Sequence, residues 1–471
     1  MALVAGVDSS TQSTKVEVRD LDSGEVISRA SMPHPATTPP KSEQDPAAWW
    51  SAFEGAWQQV GSPNVDAISV AGQQHGMVAL DAAGDVIRDA KLWNDTETAP
   101  DAGWLLKQLP GGAADWVATC GSVPVAAFTI AKLSWLHRSE PENWARLAHV
   151  LLPHDWMTYR LTEAMCTDRG DASGTGYWSA AMGQYCWDLL SIIDTDRDWT
   201  QVVPRVLGPL EPAGTWRDAV VGPGTGDNMA AALGLAVRPG DAVISLGTSG
   251  TVYTVSDAPT PDETGAVAGF ADATGRYLPL VCTLNATKVT DTVARLLGVD
   301  LAGFDALATA APLGAGGVTL LPYLDGERTP NRPKSSGTLT GFRSDASREQ
   351  LARAAVEGVA CGLLDGLDAL RAHVRDVQRV VLVGGGAKSA AYRQVFADLC
   401  DLPVSVADAE QAVAAGACVQ AAAVLQEIDP DIVAQRWGFG ATQPVERASS
   451  YDIDASAAIR ATYAALRDRM A

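Results

Sequence analysis

Residues 240–257, GDAVISLGTSGTVYTVSD, decide the fold class of this chain. An apolar run ends in a Gly/Thr/Ser turn and a second apolar run returns, which is the pattern of a β-hairpin. The stretch can be laid over residues 3–20, LVAGVDSSTQSTKVEVRD, with Thr11 against Thr248 and Val18 against Val255. The offset is about half of the 471 residues, so the sequence predicts two related halves.

The first half of the sequence predicts three strands and then a helix. An antiparallel meander is expected at 3–7, 14–20 and 25–30, because polar turns join these apolar runs. A helix is expected next, since Asp45 is a typical N-cap and Pro46 suits the first helical position.

The second half of the sequence alternates helical and strand patterns. Residues 348–374 predict a long amphipathic helix, and residues 379–386 a buried strand that ends in glycines. Such alternation is typical of an α/β fold, and 471 residues exceed the size of one hydrophobic core. The sequence therefore predicts an α/β protein of two domains, at residues 1–238 and 239–471.

The composition indicates a globular protein without nucleic-acid or membrane partners. Hydrophobic residues make up 47% of the chain, charged residues 19%, and no segment reaches the ~18 apolar residues of a membrane span. The formal net charge of −21 repels nucleic acid and anionic membrane surfaces. The N-terminal residues enter a strand pattern without a basic region or a cleavage site, so we expect a cytoplasmic protein. The 7 cysteines form no CxxC pair and are expected to be buried thiols.

Two turns rich in Ser, Thr and Gly are candidate phosphate sites. Tight turns present several backbone N–H groups and hydroxyls in one direction, which suits a polyphosphate where positive side chains are sparse. The donors would be residues 10–13 with Lys15 in the first turn, and Gly247, Thr248 and Ser249 in the second. Either turn alone is more simply an ordinary hairpin turn, but their recurrence at matching positions favours phosphate binding.

A third glycine-rich turn and an acid at a strand end are further candidates. Gly385 and Gly386 follow a buried strand, where an adenine or ribose could lie flat, although a plain strand-to-helix connection explains the glycines as well. Asp8 closes the first strand beside the first turn. A carboxylate there suits Mg²⁺, which takes one or two carboxylates together with substrate phosphates, although such an acid can also bond its own turn.

Polar side chains in the first half predict a site for a hydroxyl-rich ligand. Gln74 and His75 lie in AGQQHG, and Asp95 lies in LWND. Planar amides, imidazoles and carboxylates bind hydroxyls in fixed directions. Asp227 and Asn228 follow in VVGPGTGDNMAAALG, where Asp227 is expected to cap a helix and to stay ionised in the helix dipole.

The chain resembles the FGGY carbohydrate kinases of the actin-like ATPase superfamily, and among them most closely the xylulose kinases. The resemblance runs from about residue 3 to about residue 426 and rests on SEQDPAAWW, AGQQHG, LWND, LLPHDWMTYRLTE, GTGDN, SLGTSGT, LPYLDGERTP and LVGGGAKSAAYRQ, in that order. It implies two ribonuclease-H-like domains facing across a cleft, with ATP as the phosphoryl donor. It also implies transfer of the γ-phosphoryl group to the terminal C5 hydroxyl of D-xylulose.

The resemblance implies roles for individual residues. Asp227 is the general base, and Asp8 is associated with Mg²⁺ and catalysis. The implied sugar-binding residues are Gln74, His75, Asp95, Asp227 and Asn228. The implied ATP-binding residues are Thr11, Ser13, Lys15, Gly247, Thr248, Gly385 and Gly386.

The sequence departs from the family at two positions and leaves alternatives open. Ser10 stands where many bacterial members have glycine, and Gln74 where they have methionine. A kinase for ribulose, L-xylulose or arabitol would share every phosphate feature. An actin-like ATPase switch and a catalytically silent sugar-binding relative are the other classes considered. The helix at 348–374 is assigned either to a domain interface or to a subunit contact, with a homodimer among the partners considered.

Overall fold

The protein is described by a computed structural model that covers residues 2–407 and 411–470. The predicted domain limits at Met1 and Ala471 therefore lie outside the described residues. The chain forms two compact units that are not continuous in sequence. Within the described residues, the first unit comprises 2–237, 256–278 and 411–440, and the second comprises 238–255, 279–407 and 441–470.

Two segments of the second half of the chain thus belong to the first unit. The chain first passes from one unit to the other after Val237, next to the predicted boundary. The division into functional domains at residue 238 stays a prediction, because the compact units interleave along the chain. The two-domain α/β fold itself is confirmed.

The strands are, in chain order, β1 (Leu3–Ser9), β2 (Ser13–Asp20), β3 (Val26–Pro33), β4 (Glu43–Gln44), β5 (Ala67–Gly72), β6 (Val78–Leu80), β7 (Ala90–Lys91), β8 (His149–Leu151), β9 (Cys166–Asp168), β10 (Trp178–Ser179), β11 (Gln184–Tyr185), β12 (Arg205–Leu207), β13 (Gly214–Trp216), β14 (Ala219–Val221), β15 (Thr225–Gly226), β16 (Asp241–Leu246), β17 (Gly250–Thr254), β18 (Ala268–Ala271), β19 (Tyr277–Thr283), β20 (Thr319–Leu321), β21 (Thr338–Thr340), β22 (Arg379–Val383), β23 (Val404–Ala407) and β24 (Thr442–Val445).

The α-helices are α1 (Pro46–Gln59), α2 (Ala99–Leu105), α3 (Ala113–Cys120), α4 (Thr129–Ser139), α5 (Pro141–Arg146), α6 (Pro153–Thr162), α7 (Arg169–Ala172), α8 (Trp187–Ser191), α9 (Asp227–Gly234), α10 (Thr287–Leu297), α11 (Leu301–Ala310), α12 (Arg348–Arg371), α13 (Ala390–Leu399), α14 (Ala412–Gln426), α15 (Pro430–Arg436) and α16 (Ile453–Arg469). Short 3-10 helices lie at Trp199–Gln201, Ala315–Gly317 and Gly385–Lys388.

The first unit is built on a mixed sheet with the order β13-β14-β5-β1-β2-β3. β1 pairs antiparallel with β2, and β2 pairs antiparallel with β3, which confirms the predicted meander. On its other side β1 pairs parallel with β5. The short strand β15 also pairs parallel with the end of β5.

The two faces of this sheet are covered by different helices. Ala5 and Val7 of β1 pack in the cluster that contains Trp49 and Phe53 of α1. Val4 packs on the opposite face with residues of α14, because successive side chains of a strand alternate between faces. Gly6 also faces α14, where a Cβ would come within 2.1 Å of the Ala414 carbonyl oxygen.

Helix α1 begins as the sequence predicts. The Asp45 side chain accepts a hydrogen bond from the N–H of Ala47, and Pro46 is the first helical residue. Trp49 is fully buried and meets Trp156 of α6 edge to face, with ring centroids 6.1 Å apart. Aromatic pairs of this kind stabilise a core beyond their buried area. The α1 face therefore anchors the first-unit sheet.

The second unit repeats the topology of the first. Its sheet has the order β19-β17-β16-β22-β23-β24, in which β16 and β17 form an antiparallel hairpin. β16 also pairs parallel with β22, as β1 does with β5. The self-similarity of the two hairpins in sequence is thus confirmed as a repeat of strand order. The long predicted helix is α12, which begins at a capping box between Ser347 and Gln350 and ends at Arg371.

All 7 cysteines are buried free thiols, as predicted. Among the described residues, no single helix is long and apolar enough to cross a membrane. The bent pair α14 and α15 meets that test by length and composition only, and most of α14 is buried within the fold.

Candidate functional site

Three neighbouring strand ends of the first-unit sheet carry the predicted catalytic residues and, apart from Asp95, the predicted sugar-binding residues. Asp8 of β1 is opposite Ala71 of β5, and Thr225 of β15 is opposite the same Ala71. Because these strands run parallel, the segments that follow them leave at the same edge of the sheet. The segments that begin at Gln73 and at Asp227 therefore start next to Asp8.

Asp8 is a buried carboxylate held by its own hairpin. The Lys15 ammonium lies 2.9 Å from Oδ2, because Lys15 is directly opposite Asp8 in the β1–β2 register. The Ser10 hydroxyl donates to Oδ1. Ser10 therefore acts as a partner of the acid, and the ion pair with Lys15 balances the buried charge.

The first turn is tied to the two loops that were predicted to bind sugar. The Thr11 hydroxyl donates to Gln73 Oε1 over 3.1 Å and accepts a hydrogen bond from the Trp93 indole over 2.9 Å. Gln44 donates to the Thr11 carbonyl. Thr11 thus has its side chain directed into these loops. Ser13 begins β2 opposite Pro33 and is half-buried.

Asp227 is the first residue of α9, and the N-cap is Gly226 rather than Asp227. Burial raises the pKa of the Asp227 carboxyl to about 7, and the charges of Asp8 and Asp171 raise it as well. Hydrogen bonds from Asn228 work in the opposite direction. The expectation that the helix dipole keeps Asp227 firmly ionised is therefore wrong, because burial and two nearby acids outweigh the dipole.

Asn228 joins the acid to the sugar loop. Its side-chain amide donates to Asp227 Oδ1 over 3.0 Å and to Gln74 Oε1 over 2.9 Å. The Nε2 groups of Gln73 and Gln74 are buried and have no hydrogen-bond partner among the described residues, and neither has Asn94 Oδ1. Such groups are costly unless something else binds them, so they are the donors and the acceptor expected of a polar ligand site.

His75 belongs to a cluster of aromatic rings in the same region. Its φ of 65° places it in the left-handed region, where a non-glycine residue is uncommon and is often functional. The imidazole packs against the rings of Phe128 and Phe270, with centroid distances of 5.1 Å and 5.4 Å, and these two rings also contact each other at 6.0 Å. A Cβ on Gly174 would come within 2.3 Å of the imidazole, so this glycine leaves room for the ring.

Both carboxylate oxygens of Asp95, the remaining predicted sugar-binding residue, have hydrogen-bond partners within the protein. Its Oδ2 accepts from the Ser42 N–H and from the Lys91 ammonium, and its Oδ1 accepts from the Glu97 N–H. Lys91 is fully buried and also pairs with Glu43 at 3.1 Å and Glu97 at 2.7 Å. This three-acid group already encloses a cation, so its geometry is that of a structural anchor for the LWND loop.

A buried histidine with three acids lies beneath the Asp227 loop, and no pattern in the sequence predicted a role for it. His154 Nδ1 is 2.8 Å from Asp171 Oδ2, and its Nε2 is 3.0 Å from Asp155 Oδ1 and 3.8 Å from Asp168 Oδ1. Burial opposes a charge on the imidazole, yet the three carboxylates raise its pKa to about 9. The signal in the sequence was His-Asp after a strand, followed by Asp168 and Asp171 within the next 17 residues.

The loop that precedes Asp227 is held by two more buried contacts. Gln420 of α14 donates to the Gly224 carbonyl over 2.9 Å and accepts from the Ser69 hydroxyl of β5. The Thr225 hydroxyl donates to Asp168 Oδ2 over 2.7 Å. Gly224 has a φ of 77°, and a Cβ there would lie 2.4 Å from the His154 ring. Glycine is therefore required at this position.

In the second unit, the predicted phosphate and adenosine turns lie at one edge of the sheet. The carbonyls of Gly247 and Thr248 accept from the N–H groups of Thr287 and Ala286, at the start of α10. Gly386 is packed against Leu246, the last residue of β16, whereas a Cβ on Gly385 would meet nothing within 4 Å. Gly385 thus presents open backbone beside the end of β16.

Comparisons with known proteins cover nearly the whole chain. The N-terminal domain of the FGGY family of carbohydrate kinases matches residues 3–234, and the C-terminal domain of that family matches residues 242–425. A xylulose kinase of Streptomyces rubiginosus is 46% identical over 456 residues, covering 94% of this chain and 92% of that protein. A xylulose kinase of Streptomyces coelicolor is 47% identical over 451 residues, covering 93% and 91%.

Similarity to a solved structure agrees with these matches. The crystal structure of xylulose kinase from Bifidobacterium adolescentis is 39% identical, with a TM-score of 0.87 and coverage of 99% of both chains. Both family domains are present in the family's order, and the relatives are matched over more than nine-tenths of their length. The chain therefore belongs to the FGGY family of carbohydrate kinases.

Proposed function

We propose that the protein transfers the γ-phosphoryl group of ATP to the terminal C5 hydroxyl of D-xylulose, with Asp227 as the general base. As a member of the FGGY family, the chain is an ATP-dependent phosphotransferase with a sugar acceptor. The choice of sugar is supported by the names of its relatives at 46% and 47% identity. The main support for the role of Asp227 is that the Asn228 side-chain amide donates hydrogen bonds both to Asp227 and to Gln74 of the proposed sugar site.

The proposed sugar site consists of groups that can bind hydroxyls in fixed directions. Gln73 and Gln74 each offer a buried amide donor, and Asn94 offers a buried acceptor. His75, packed against two phenylalanine rings, closes one side of this region. Asn228 keeps one amide of this set at a fixed distance from the base. Asp95 is proposed to support the LWND loop rather than to contact the sugar.

In the proposed step, the C5 oxygen attacks the γ-phosphorus in line. The new bond joins that oxygen to phosphorus, the bond from phosphorus to the β,γ-bridging oxygen breaks, and ADP leaves. The hydroxyl proton passes to Asp227. Because phosphoryl transfer is loose, positioning and charge stabilisation matter more than the strength of the base. An acid whose pKa is about 7 is nevertheless well matched to accept a proton near neutral pH.

Asp8 fits a Mg²⁺ ion that arrives with the nucleotide. Mg²⁺ keeps several waters and takes one or two carboxylates together with phosphate oxygens, which a single buried carboxylate at a strand end satisfies. Asp8 would hold the ion, and Lys15, 2.9 Å from Asp8, supplies a second positive charge. When bound, Mg²⁺ would offset the negative charge of the phosphates.

The ATP contacts are proposed separately in each unit. In the first unit they are the backbone of the first turn at Thr11 and Ser13 together with Lys15. In the second unit they are the turn at Gly247 and Thr248 and the open backbone at Gly385 and Gly386. Glycine turns at strand ends suit this role, because their backbone N–H groups can approach phosphates closely.

A sugar panel tests the proposal directly. ADP release is measured with D-xylulose, D-ribulose, L-xylulose, D-arabitol and glycerol at equal concentration, and the phosphorylated product of the best sugar is isolated. We expect the highest kcat/KM with D-xylulose and a product that carries phosphate on C5. A higher kcat/KM with another ketose or polyol would replace the sugar but keep the kinase. ADP release that no sugar stimulates would reject the kinase assignment.

A further inference from the structure

The buried His154 cluster lies outside the groups that touch the sugar or ATP in the proposed reaction, yet it adjoins the loop that carries the base. His154 and Asp171 are fully buried, and their atoms Nδ1 and Oδ2 are 2.8 Å apart. Asp155 and Asp168 face the other side of the imidazole. A buried cation with three acids is expensive to maintain, so its presence calls for a role.

Two contacts connect this cluster to the segment before Asp227. The His154 ring packs on the backbone of Gly224, where even a Cβ would be 2.4 Å away. Asp168 accepts from the Thr225 hydroxyl over 2.7 Å and also caps the short helix α7 through the N–H groups of Gly170 and Asp171. Displacing the imidazole would therefore move both the loop and the acids around it.

The cluster also acts on Asp227 through charge. Gly170 lets α7 approach α9, since a Cβ there would lie 2.9 Å from Met229 Cγ. Asp171, on α7, is close enough for its charge to raise the pKa of Asp227. Its Oδ1 is buried without a hydrogen-bond partner in the part of the chain that the structure describes. His154, 2.8 Å from Oδ2, is thus the ion-pair partner of an acid whose charge acts on the base.

We propose that His154 is a positioning residue for Asp227: its imidazolium holds Asp168 and Asp171 beneath the loop at residues 222–226, and so fixes both the place of the catalytic carboxylate and the electric field around it. The inference rests on the proposed role of Asp227 as the base. The titratable groups that face the imidazole are Asp155 from its own helix, Asp168 from β9 and Asp171 from α7. Cys166 of β9 and Tyr177 after α7 interact with these acids.

The test compares variants that keep or remove the charge. His154→Lys keeps a positive charge, whereas His154→Gln keeps a hydrogen-bond donor but has no charge. The pH profile of kcat/KM for the sugar is measured for each variant at saturating MgATP, with thermal unfolding to confirm the fold. In such a profile the acidic limb is the pH range in which kcat/KM falls as the base becomes protonated. We expect His154→Gln to move this limb to higher pH by about half a pH unit or more, because one positive charge near the base is lost. His154→Lys should restore the wild-type limb.

A second variant changes Asp171, the partner of His154 in this ion pair, in case His154→Gln does not fold. Asp171→Asn removes the negative charge instead, so we expect the acidic limb to move downward. Opposite shifts from His154→Gln and Asp171→Asn support the proposal. A folded His154→Gln enzyme with the wild-type limb would overturn it, and so would an Asp171→Asn limb that is unchanged or raised.

A direct measurement of the imidazole does not depend on the role of Asp227. With ¹⁵N-labelled histidine, the wild-type protein should show one charged imidazole that persists at pH 8 and that disappears in His154→Lys. A neutral His154 at pH 8 would overturn the proposal. If Asp227→Asn keeps its turnover, the proposed function fails. If Asp227→Asn loses turnover while the His154 and Asp171 variants leave the limb in place, only this inference fails.

Discussion

The side-chain amide of Asn228 donates a hydrogen bond to Oε1 of Gln74 over 2.9 Å. This bond fixes the orientation of the Gln74 amide, because its oxygen faces Asn228 and its Nε2 faces away. That Nε2 is buried and has no hydrogen-bond partner among the described residues. The contact thus leaves a donor ready for a ligand beside the proposed base.

Gln74→Met should weaken sugar binding more than it slows the chemical step. The substitution removes both the acceptor for Asn228 and the free amide donor, and one such hydrogen bond is worth about 1 kcal/mol. We expect KM for the sugar to rise about fivefold, with a smaller change in kcat. Steady-state kinetics check this.

Gln74→Glu is the matched control for that change. It keeps an oxygen for Asn228 but loses the free donor, and it adds a negative charge near Asp227. We therefore expect a raised KM together with an acidic limb that moves upward. Unchanged KM values in both variants would remove Gln74 from the sugar site.

The pH dependence of kcat/KM should report the state of Asp227. Its pKa is raised to about 7, so the carboxylate is protonated below that pH and cannot accept the sugar proton. Activity should therefore fall tenfold per pH unit below about pH 7 and level off above it. An Asp227 carboxyl that titrates near pH 4 in the protein without nucleotide and Mg²⁺ would contradict this environment for the base.

Asp95 should behave as a structural residue. Breaking a buried ion pair by removing one partner costs about 3–5 kcal/mol, and both oxygens of Asp95 have partners inside the fold. We expect Asp95→Asn to lower the free energy of unfolding by that order, as measured in denaturant.

Glu97→Gln provides the comparison for Asp95, because Glu97 contacts the same Lys91 but is one-third exposed, with 34% of its side-chain surface accessible. Its loss should cost about 1 kcal/mol or less. If Asp95→Asn unfolds like the wild type while its sugar KM rises, Asp95 is a sugar ligand after all.

The helix that carries Asp227 depends on a close approach to α14. A Cβ on Gly416 would lie 1.8 Å from the Ala230 carbonyl oxygen, and one on Gly234 would lie 2.0 Å from that of Ala412. Gly416→Ala must therefore push the helices apart, and we expect a loss of about 2–4 kcal/mol in unfolding free energy with reduced kcat.

Gly103→Ala in α2 is the control for this packing, because a Cβ there would meet nothing within 4 Å. Alanine favours a helix over glycine by about 0.5–1 kcal/mol, so this variant should be as stable as the wild type or slightly more stable. Equal stability of the two variants would show that the α9–α14 approach tolerates a side chain.

Local patterns predicted the elements that carry the site but not their long-range partners. Asp8 and Gly385 were correctly placed at strand ends, since an apolar run followed by a polar or glycine turn is a local signal. Helix α14 contacts Gly6 of β1, although the contacting residues are about 400 positions apart in sequence. No local sequence pattern predicts such a contact. For the same reason, the sequence did not reveal that residues 411–440 belong to the first unit.

The burial and the charged neighbours of individual acidic residues could not be predicted from the sequence either. Asp95 and Asp227 were both predicted to bind the sugar, yet Asp95 forms a buried ion pair with Lys91, whereas the charges of Asp8 and Asp171 act on Asp227. Burial and neighbouring charge decide the pKa of a carboxylate, and both depend on the folded chain. The same holds for His154, whose three partners come from α6, β9 and α7.

Turnover of Asp227→Asn with D-xylulose and MgATP at pH 8 tests the central claim most directly. The amide cannot accept the C5 proton, and general bases contribute about 10²–10⁴-fold, so D-xylulose 5-phosphate should form that much more slowly. Sugar binding, followed by calorimetry, should stay within about threefold because Asn228 and Gln74 are unchanged. Near wild-type turnover in a folded Asp227→Asn protein would contradict the account.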